Sequence, residues 1–121
     1  MSEERDVIYS YTRKQALQEG VLVDVSKMAK KAGIKYPTAV TEAVWTLLFA
    51  YPEESGQSVI SRLWDTLCLF AVAASKTHSQ EVHFKVAYEQ EGGLQDVDLW
   101  GWCGPGDEGE PVLTIMLEGE D

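Results

Sequence analysis

Glu81-Val82-His83-Phe84-Lys85-Val86-Ala87-Tyr88 is the stretch in which the hydrophobic pattern of the chain changes period. Val82, Phe84, Val86 and Tyr88 alternate with Glu81, His83, Lys85 and Ala87, the pattern of a strand buried on one face. Downstream, Gly92-Gly93 supplies a turn, and Val97, Leu99, Gly101 and Cys103 then alternate with Asp96, Asp98, Trp100 and Trp102. The start of this second run is irregular, because Leu94 falls on the polar face and Gln95 on the apolar one. A third run, Val112 to Leu117, sets Leu113, Ile115 and Leu117 on one face and Val112, Thr114 and Met116 on the other. Three sequential strands over 81–89, 95–103 and 111–118 imply an antiparallel meander whose inner face packs on helices.

Upstream of Glu81 the spacing is helical. Thr12 with Gln15 has the form of a capping box and Gly20 offers a stop, so a short helix is expected over 12–19. Val21 to Val25 is a brief extended segment and an edge-strand candidate. Ser26 is expected to cap a helix over 26–32, closed by Gly33, and Tyr36-Pro37 keeps the chain extended. Val40, Ala43, Val44, Leu47, Leu48 and Tyr51 follow the i, i+3, i+4 rule and predict a helix over 38–51. A further helix over 58–76, capped by Ser58, carries Ile60, Leu63, Trp64, Leu67, Ala71 and Ala74 as a stripe. Val59, Phe70 and Val72 spread apolar surface around the rest of it, so it is expected to be the central buried helix. The reading is a single α+β domain over 1–121, with a helical N-terminal two-thirds packed on a C-terminal three-stranded antiparallel meander.

Charge is divided unevenly between these parts. Residues 1–80 hold nine acidic and nine basic side chains, whereas residues 81–121 hold eleven acidic side chains against Lys85 alone, so the net charge of −10 lies in the last third. A field of one sign repels nucleic acid and membrane phosphates and attracts basic partners. Direct binding of DNA or RNA by the sheet, and membrane binding, are therefore not expected. Cys68 and Cys103 are too few and too far apart for a disulfide framework or a zinc site, and they read as reduced core thiols. Ser2-Glu3-Glu4-Arg5-Asp6 lacks the start of a signal peptide, and the longest apolar run, Leu67 to Ala74, cannot span a bilayer. A cytoplasmic location is the default expectation.

Alternation gathers His83, Lys85, Asp96, Asp98, Trp100, Trp102, Thr114 and Met116 on the outer face of the meander. Aromatics beside a polar rim are characteristic of binding hot spots, so Trp100, Trp102, Met116, Asp96, Asp98 and His83 form a candidate binding surface. Cover by the first helices, or by a second copy of the chain, is the plainer account of the tryptophans. His83 with Asp96 and Asp98 also has the residue types of a metal or general acid/base cluster. Asp at alternate strand positions is more often a solvated face. The loop Gly104-Pro105-Gly106-Asp107-Glu108-Gly109-Glu110-Pro111 presents Asp107, Glu108 and Glu110, yet it lacks the ligand spacing of a calcium loop and the lysine of a phosphate loop. It reads as a hairpin connection. Arg62 and Asp65 stand at i, i+3, which suits an intrahelical pair or a tie to a loop. No catalytic, cofactor or metal signature stands out, so no catalytic residue, metal ligand or cofactor is assigned.

Several segments taken together resemble an uncharacterised family of small proteins, a domain of unknown function, carried by bacterial plasmids and phages. They are Tyr11-Thr12-Arg13-Lys14-Gln15-Ala16, Gly20-Val21-Leu22-Val23-Asp24-Val25, Ala32-Gly33-Ile34-Lys35-Tyr36-Pro37, Arg62-Leu63-Trp64-Asp65 and Pro105-Gly106-Asp107-Glu108-Gly109-Glu110-Pro111-Val112. The resemblance brings no activity and no functional residues; it implies a setting on mobile elements, whose small accessory proteins often act against host defence or regulate replication and expression. The leading expectation is a non-enzymatic interaction protein whose acidic sheet occupies a basic surface, for instance on a host nucleic-acid-binding defence protein. The rivals are a small metal-dependent hydrolase using His83, Asp96 and Asp98, and a structural homodimer whose tryptophans meet across a two-fold axis.

Overall fold

Residues 12–120 are described in this computed structural model; the Ser2–Asp6 start, Tyr11 and Asp121 lie outside them. Thr12 caps helix α1 (Arg13–Glu19) with a reciprocal capping box. Its hydroxyl accepts from the Gln15 amide at 3.0 Å, and Gln15 Oε1 accepts from the Thr12 amide at 2.9 Å. Gly20, at φ 79°, takes the left-handed conformation that ends the helix. Strand β1 (Leu22–Asp24) and helix α2 (Ser26–Lys31) follow. Ser26 is not the cap of α2: Val25 holds that position without a side-chain bond, and the Ser26 hydroxyl instead accepts from the Thr38 amide at 2.9 Å. It ties α2 to the next strand.

The helix expected over 38–51 is two elements, strand β2 (Thr38–Thr41) and helix α3 (Glu42–Phe49). Val40 does stand at helical spacing from Val44 and Leu47, but four residues are too few to separate period 3.6 from period 2. Three of the four are β-branched, which favours the pleated conformation. Thr41 then caps α3, accepting from the Val44 amide at 3.3 Å. Beyond a 3-10 turn at Glu53–Ser55, helix α4 (Val59–Ala74) opens on a Ser58–Ser61 capping box. Strands β3 (Glu81–Gln90), β4 (Gly93–Pro105) and β5 (Pro111–Leu117) complete the chain.

These strands correct the expected architecture. The protein is α+β, but it carries one five-stranded mixed sheet in the order β1-β2-β5-β4-β3, mostly from the C-terminal half, rather than a three-stranded meander under a helical N-terminal two-thirds. Neighbours β3, β4 and β5 are antiparallel, β2 runs parallel to β5 with Thr38 opposite Leu113 and Val40 opposite Ile115, and β1 closes the edge antiparallel to β2. The reason lies in β5, an apolar strand that would leave one row of backbone donors and acceptors unpaired at the edge of a meander. Strand β2 pairs with that edge. With both edges paired and both faces covered, Val112, Leu113, Thr114, Ile115 and Met116 are all buried.

The inner face of the sheet meets the helices in one core. Val40, Val82, Val86, Tyr88, Leu99, Leu113 and Ile115 pack with Ala29, Val44, Leu48, Leu63, Leu67 and Phe70. Gly101 allows this closeness, since a Cβ there would fall 2.4 Å from Phe70 Cε1. Helix α4 is not buried all round, as expected, but on one side only: Leu63, Leu67 and Phe70 face the sheet, and Ile60, Trp64, Leu69 and Val72 are exposed.

Arg62 is the one fully buried cation among the described residues. Of its two expected roles, the tie to a loop is the one present. Its guanidinium donates to Gln57 Oε1 at 2.7 Å, to the Leu47 and Ala50 carbonyls at 3.0 and 3.2 Å, and to the Glu89 carbonyl. The rings of Tyr88 and Tyr51 lie 4.9 and 5.6 Å from its Cζ. Burial lowers its pKa, while Tyr88, Glu89 and Tyr51 oppose that shift. One side chain thus closes the C-terminal end of α3 and joins it to edge strand β3.

Candidate functional site

Register decides which side chains meet on the outer face. His83 lies opposite Trp100, Glu81 opposite Trp102 and Lys85 opposite Asp98; on the other side of β4, Trp100 faces Met116 and Trp102 faces Thr114. The candidate surface His83, Asp96, Asp98, Trp100, Trp102 and Met116 therefore shares one face. Its members differ in exposure: His83, Asp96 and Asp98 are exposed, Trp100 and Trp102 are half-buried, and Met116 is buried, with 9% exposure.

His83 is the most connected of them. Its ring stacks on Trp100 at 5.8 Å between centroids and 11° between planes. Nδ1 is hydrogen-bonded to the Glu118 carboxylate and Nε2 lies 3.6 Å from Glu81 Oε1. The Glu118 hydrogen bond, helped by Glu81, raises the His83 pKa above the ordinary 6.5. The partners of His83 are thus two glutamates. Asp98 instead pairs with Lys85 at 3.1 Å, which raises the lysine pKa, and Asp96 stands opposite Ala87. His83, Asp96 and Asp98 do not converge on a point, and among the described residues no group of three His, Cys, Asp or Glu side chains is arranged to hold a metal ion.

The six-membered ring of Trp102 sits over Gly104. A Cβ on Gly104 would fall 2.0 Å from Trp102 Cη2, so the glycine makes room for the indole. With Leu22, Thr41, Thr114 and Met116, Trp102 lines an open groove of about 810 Å³. Glu120 also lines it and is held in place, because its Oε2 accepts from the Thr41 hydroxyl and the Leu117 amide, each at 2.8 Å.

The acidic loop forms a hairpin turn. Gly106 donates its amide to the Glu110 carbonyl at 2.6 Å, and the Glu110 carboxylate accepts from the Glu108 amide at 3.0 Å. Glu108 and Glu110 are exposed. Asp107 is exposed too but engaged: its carboxylate accepts from the Arg13 and Lys14 amides at 2.8 and 3.0 Å, an anion at the N-terminus of α1. The Arg13 guanidinium reaches the sheet, donating to Thr114 Oγ1 at 2.7 Å and the Leu113 carbonyl at 2.8 Å. Burial lowers the Arg13 pKa, opposed by Asp24, Asp107 and Glu110.

Three residues that shape this surface were not singled out from sequence: Glu81, Glu118 and Arg13. Glu81 and Glu118 approach His83 only through register and the C-terminal turn. Arg13 left a signal, since a cation in the first turn of a helix opposes the dipole and calls for a carboxylate nearby.

The fold and surface define an α+β protein with a mixed five-stranded sheet, one end of which presents half-buried aromatics alongside carboxylates. The family of unknown function DUF6573 matches residues 1–121, and the chain belongs to it. No curated protein and no solved structure matches the chain significantly. No helix among the described residues is long and apolar enough to cross a membrane.

Proposed function

We propose that this protein is a small non-enzymatic interaction module of a mobile element, whose outer sheet face occupies the basic surface of a host protein. A nucleic-acid-binding defence protein is the target class, because a surface built to hold phosphates is the kind that a dense row of carboxylates can imitate. The mobile-element setting rests on the resemblance to a family carried by plasmids and phages. The observation that carries the reading is the set of exposed carboxylates on this face, Glu81 and Glu118 against the Trp100–His83 stack and Asp96 and Asp98 further along β4. Long-range attraction brings the partner in, and the half-buried indole gives a desolvated contact at the centre.

The test is capture from host lysate by tagged protein, comparing wild type with Trp100→Ala and with Asp96→Asn, Asp98→Asn. A nucleic-acid-binding protein is expected with wild type, weakened in both variants and released by duplex DNA. Binding should fall steeply from about 0.01 M to about 1 M salt, as the screening length contracts from about 30 Å to about 3 Å. Capture that is indifferent to salt, to DNA and to both variants would remove the proposal.

A further inference from the structure

We infer that the opening between the C-terminal end of α4 and the inner face of the sheet binds a small organic anion, a carboxylate carried on an aromatic body. At this end of the core the packing stops short. Gly33, at φ 93°, turns the chain out of α2, so that Ile34 enters the core while Lys35 stays at the surface. From α4 the small side chains of Ala71 and Ala74 face the gap. The space left is a cavity of about 400 Å³, within the range of small-molecule sites. Its deep walls are the buried Phe70, Val82 and Leu113, and its rim carries the exposed Lys35 and His78.

Charge decides the occupant. The chain carries −10 overall, yet among the described residues no carboxylate lines this cavity. Neither Lys35 nor His78 has a hydrogen-bond or ion-pair partner among the described residues. Nor do they cap α4: the Ala71, Ala73 and Ala74 carbonyls accept from the Ser75, Lys76 and Thr77 amides, and the Val72 carbonyl accepts from the Ser75 hydroxyl at 2.7 Å. An ammonium carries three donors and an imidazole at least one, so an anionic head at this rim meets donors that the protein itself leaves unused. An aromatic body below that head is taken out of water against Phe70, Val82 and Leu113. A cationic head would meet Lys35 as a like charge, and a bare anion would leave the apolar walls uncovered. The cavity opens on the helix side of the sheet, so it stands apart from the acidic outer face.

Cys103, a free thiol, also lines the cavity and supplies a readout. In the full chain carrying Cys68→Ser, the rate of Cys103 alkylation by a small maleimide is measured with phenylacetate, 2-phenylethylamine or acetate present, beside amide shifts in two-dimensional NMR. Phenylacetate should slow the alkylation and move the Lys35, Thr77, His78 and Cys103 amides, with a Kd on the order of 1 mM for a ligand of so few atoms. 2-Phenylethylamine keeps the ring and reverses the charge, acetate keeps only the head, and both should be without effect at the same concentration. Lys35→Glu, at an exposed position, should weaken phenylacetate about tenfold, as the loss of one charge-assisted hydrogen bond does. Ala74→Leu, shown to be folded by circular dichroism, should fill the cavity and abolish binding. Thiol rate and amides unchanged by phenylacetate well above that Kd overturn the inference. So does equal protection by the amine or by acetate, or a Lys35→Glu chain that binds as wild type does.

Discussion

On the inner face of the sheet, Val82, Val86, Leu99 and Ile115 meet α3 and α4 in a core whose one charge among the described residues is Arg62, and that charge is bonded on every side. On the outer face, the alternate residues of the same strands, His83, Lys85, Asp98 and Trp100, stand among carboxylates in contact with water. The contrast teaches where each kind of interaction counts. Inside, one unpaired polar group has no water to turn to, so geometry must be complete. Outside, screening weakens every pair, and the sum of charges matters more than any single bond.

The largest expected effect lies at the buried cation. Arg62→Met leaves the Leu47, Ala50 and Glu89 carbonyls without their donor and should cost about 3–5 kcal/mol in chemical denaturation. Arg62→Lys should recover only part of this, because an ammonium cannot span acceptors set around a planar fork. A loss below about 1 kcal/mol, the worth of one ordinary hydrogen bond, would mean that the inner face does not depend on this clamp.

The two glycines of β4 sharpen the comparison. Gly101→Ala drives a methyl into Phe70 in the packed core and should cost about 1–3 kcal/mol. Gly104→Ala meets the Trp102 indole instead, which can swing toward solvent, so the expected readout is a red-shifted tryptophan emission with a smaller loss of stability. Equal losses would show that the outer face is packed as rigidly as the inner one. Smaller again is Asp107→Ala, which removes the acceptor for the Arg13 and Lys14 amides. A cost of about 1 kcal/mol is expected, with faster amide exchange confined to the start of α1.

The smallest effect is a pH dependence. The His83 pKa is raised in the folded state by Glu118 and Glu81, so its stabilising contribution is fully present below the ordinary value of 6.5 and fades as pH rises through the raised value. His83→Gln should therefore melt below wild type in mild acid, with the gap closing at alkaline pH. A gap that widens with pH would contradict the Glu118 contact.

Local chemistry in the sequence carried a good part of this. Thr12, Ser58 and Gly20 marked helix ends, and the strict alternation at Glu81–Tyr88 and Val97–Cys103 placed two long strands and sorted their faces. Even the misfit of Leu94 and Gln95 has a simple origin. They sit in register opposite Glu89 and Tyr88 near the hairpin tip; Tyr88 still packs on α4, but Leu94 and Gln95 across from this pair are both exposed, so alternation on β4 carries no burial signal there. The Arg62 clamp was half legible, as a tie to some loop, but its carbonyl partners come from the C-terminal end of α3 and from strand β3, which are far apart in sequence.

Strand β2 was the main misreading, and its trace was in β5 rather than in itself. Val112-Leu113-Thr114-Ile115-Met116 is apolar on both faces, which is the pattern of a strand paired on both edges and covered on both sides. Thr38–Thr41, read alone, extends a helix that truly begins at Glu42.

By itself the sequence determined the helix ends at Thr12, Gly20 and Ser58, the alternation of β3 and β4 and the −10 charge of the last third, because each depends on residues that are neighbours along the chain. Tertiary structure decided which strand lies beside β5, that His83 meets Glu81 and Glu118 rather than Asp96 and Asp98, and that α4 keeps an apolar side in solvent. Those outcomes depend on backbone pairing and packing between segments tens of residues apart, where four residues of β propensity prevail once a long apolar strand offers them an edge.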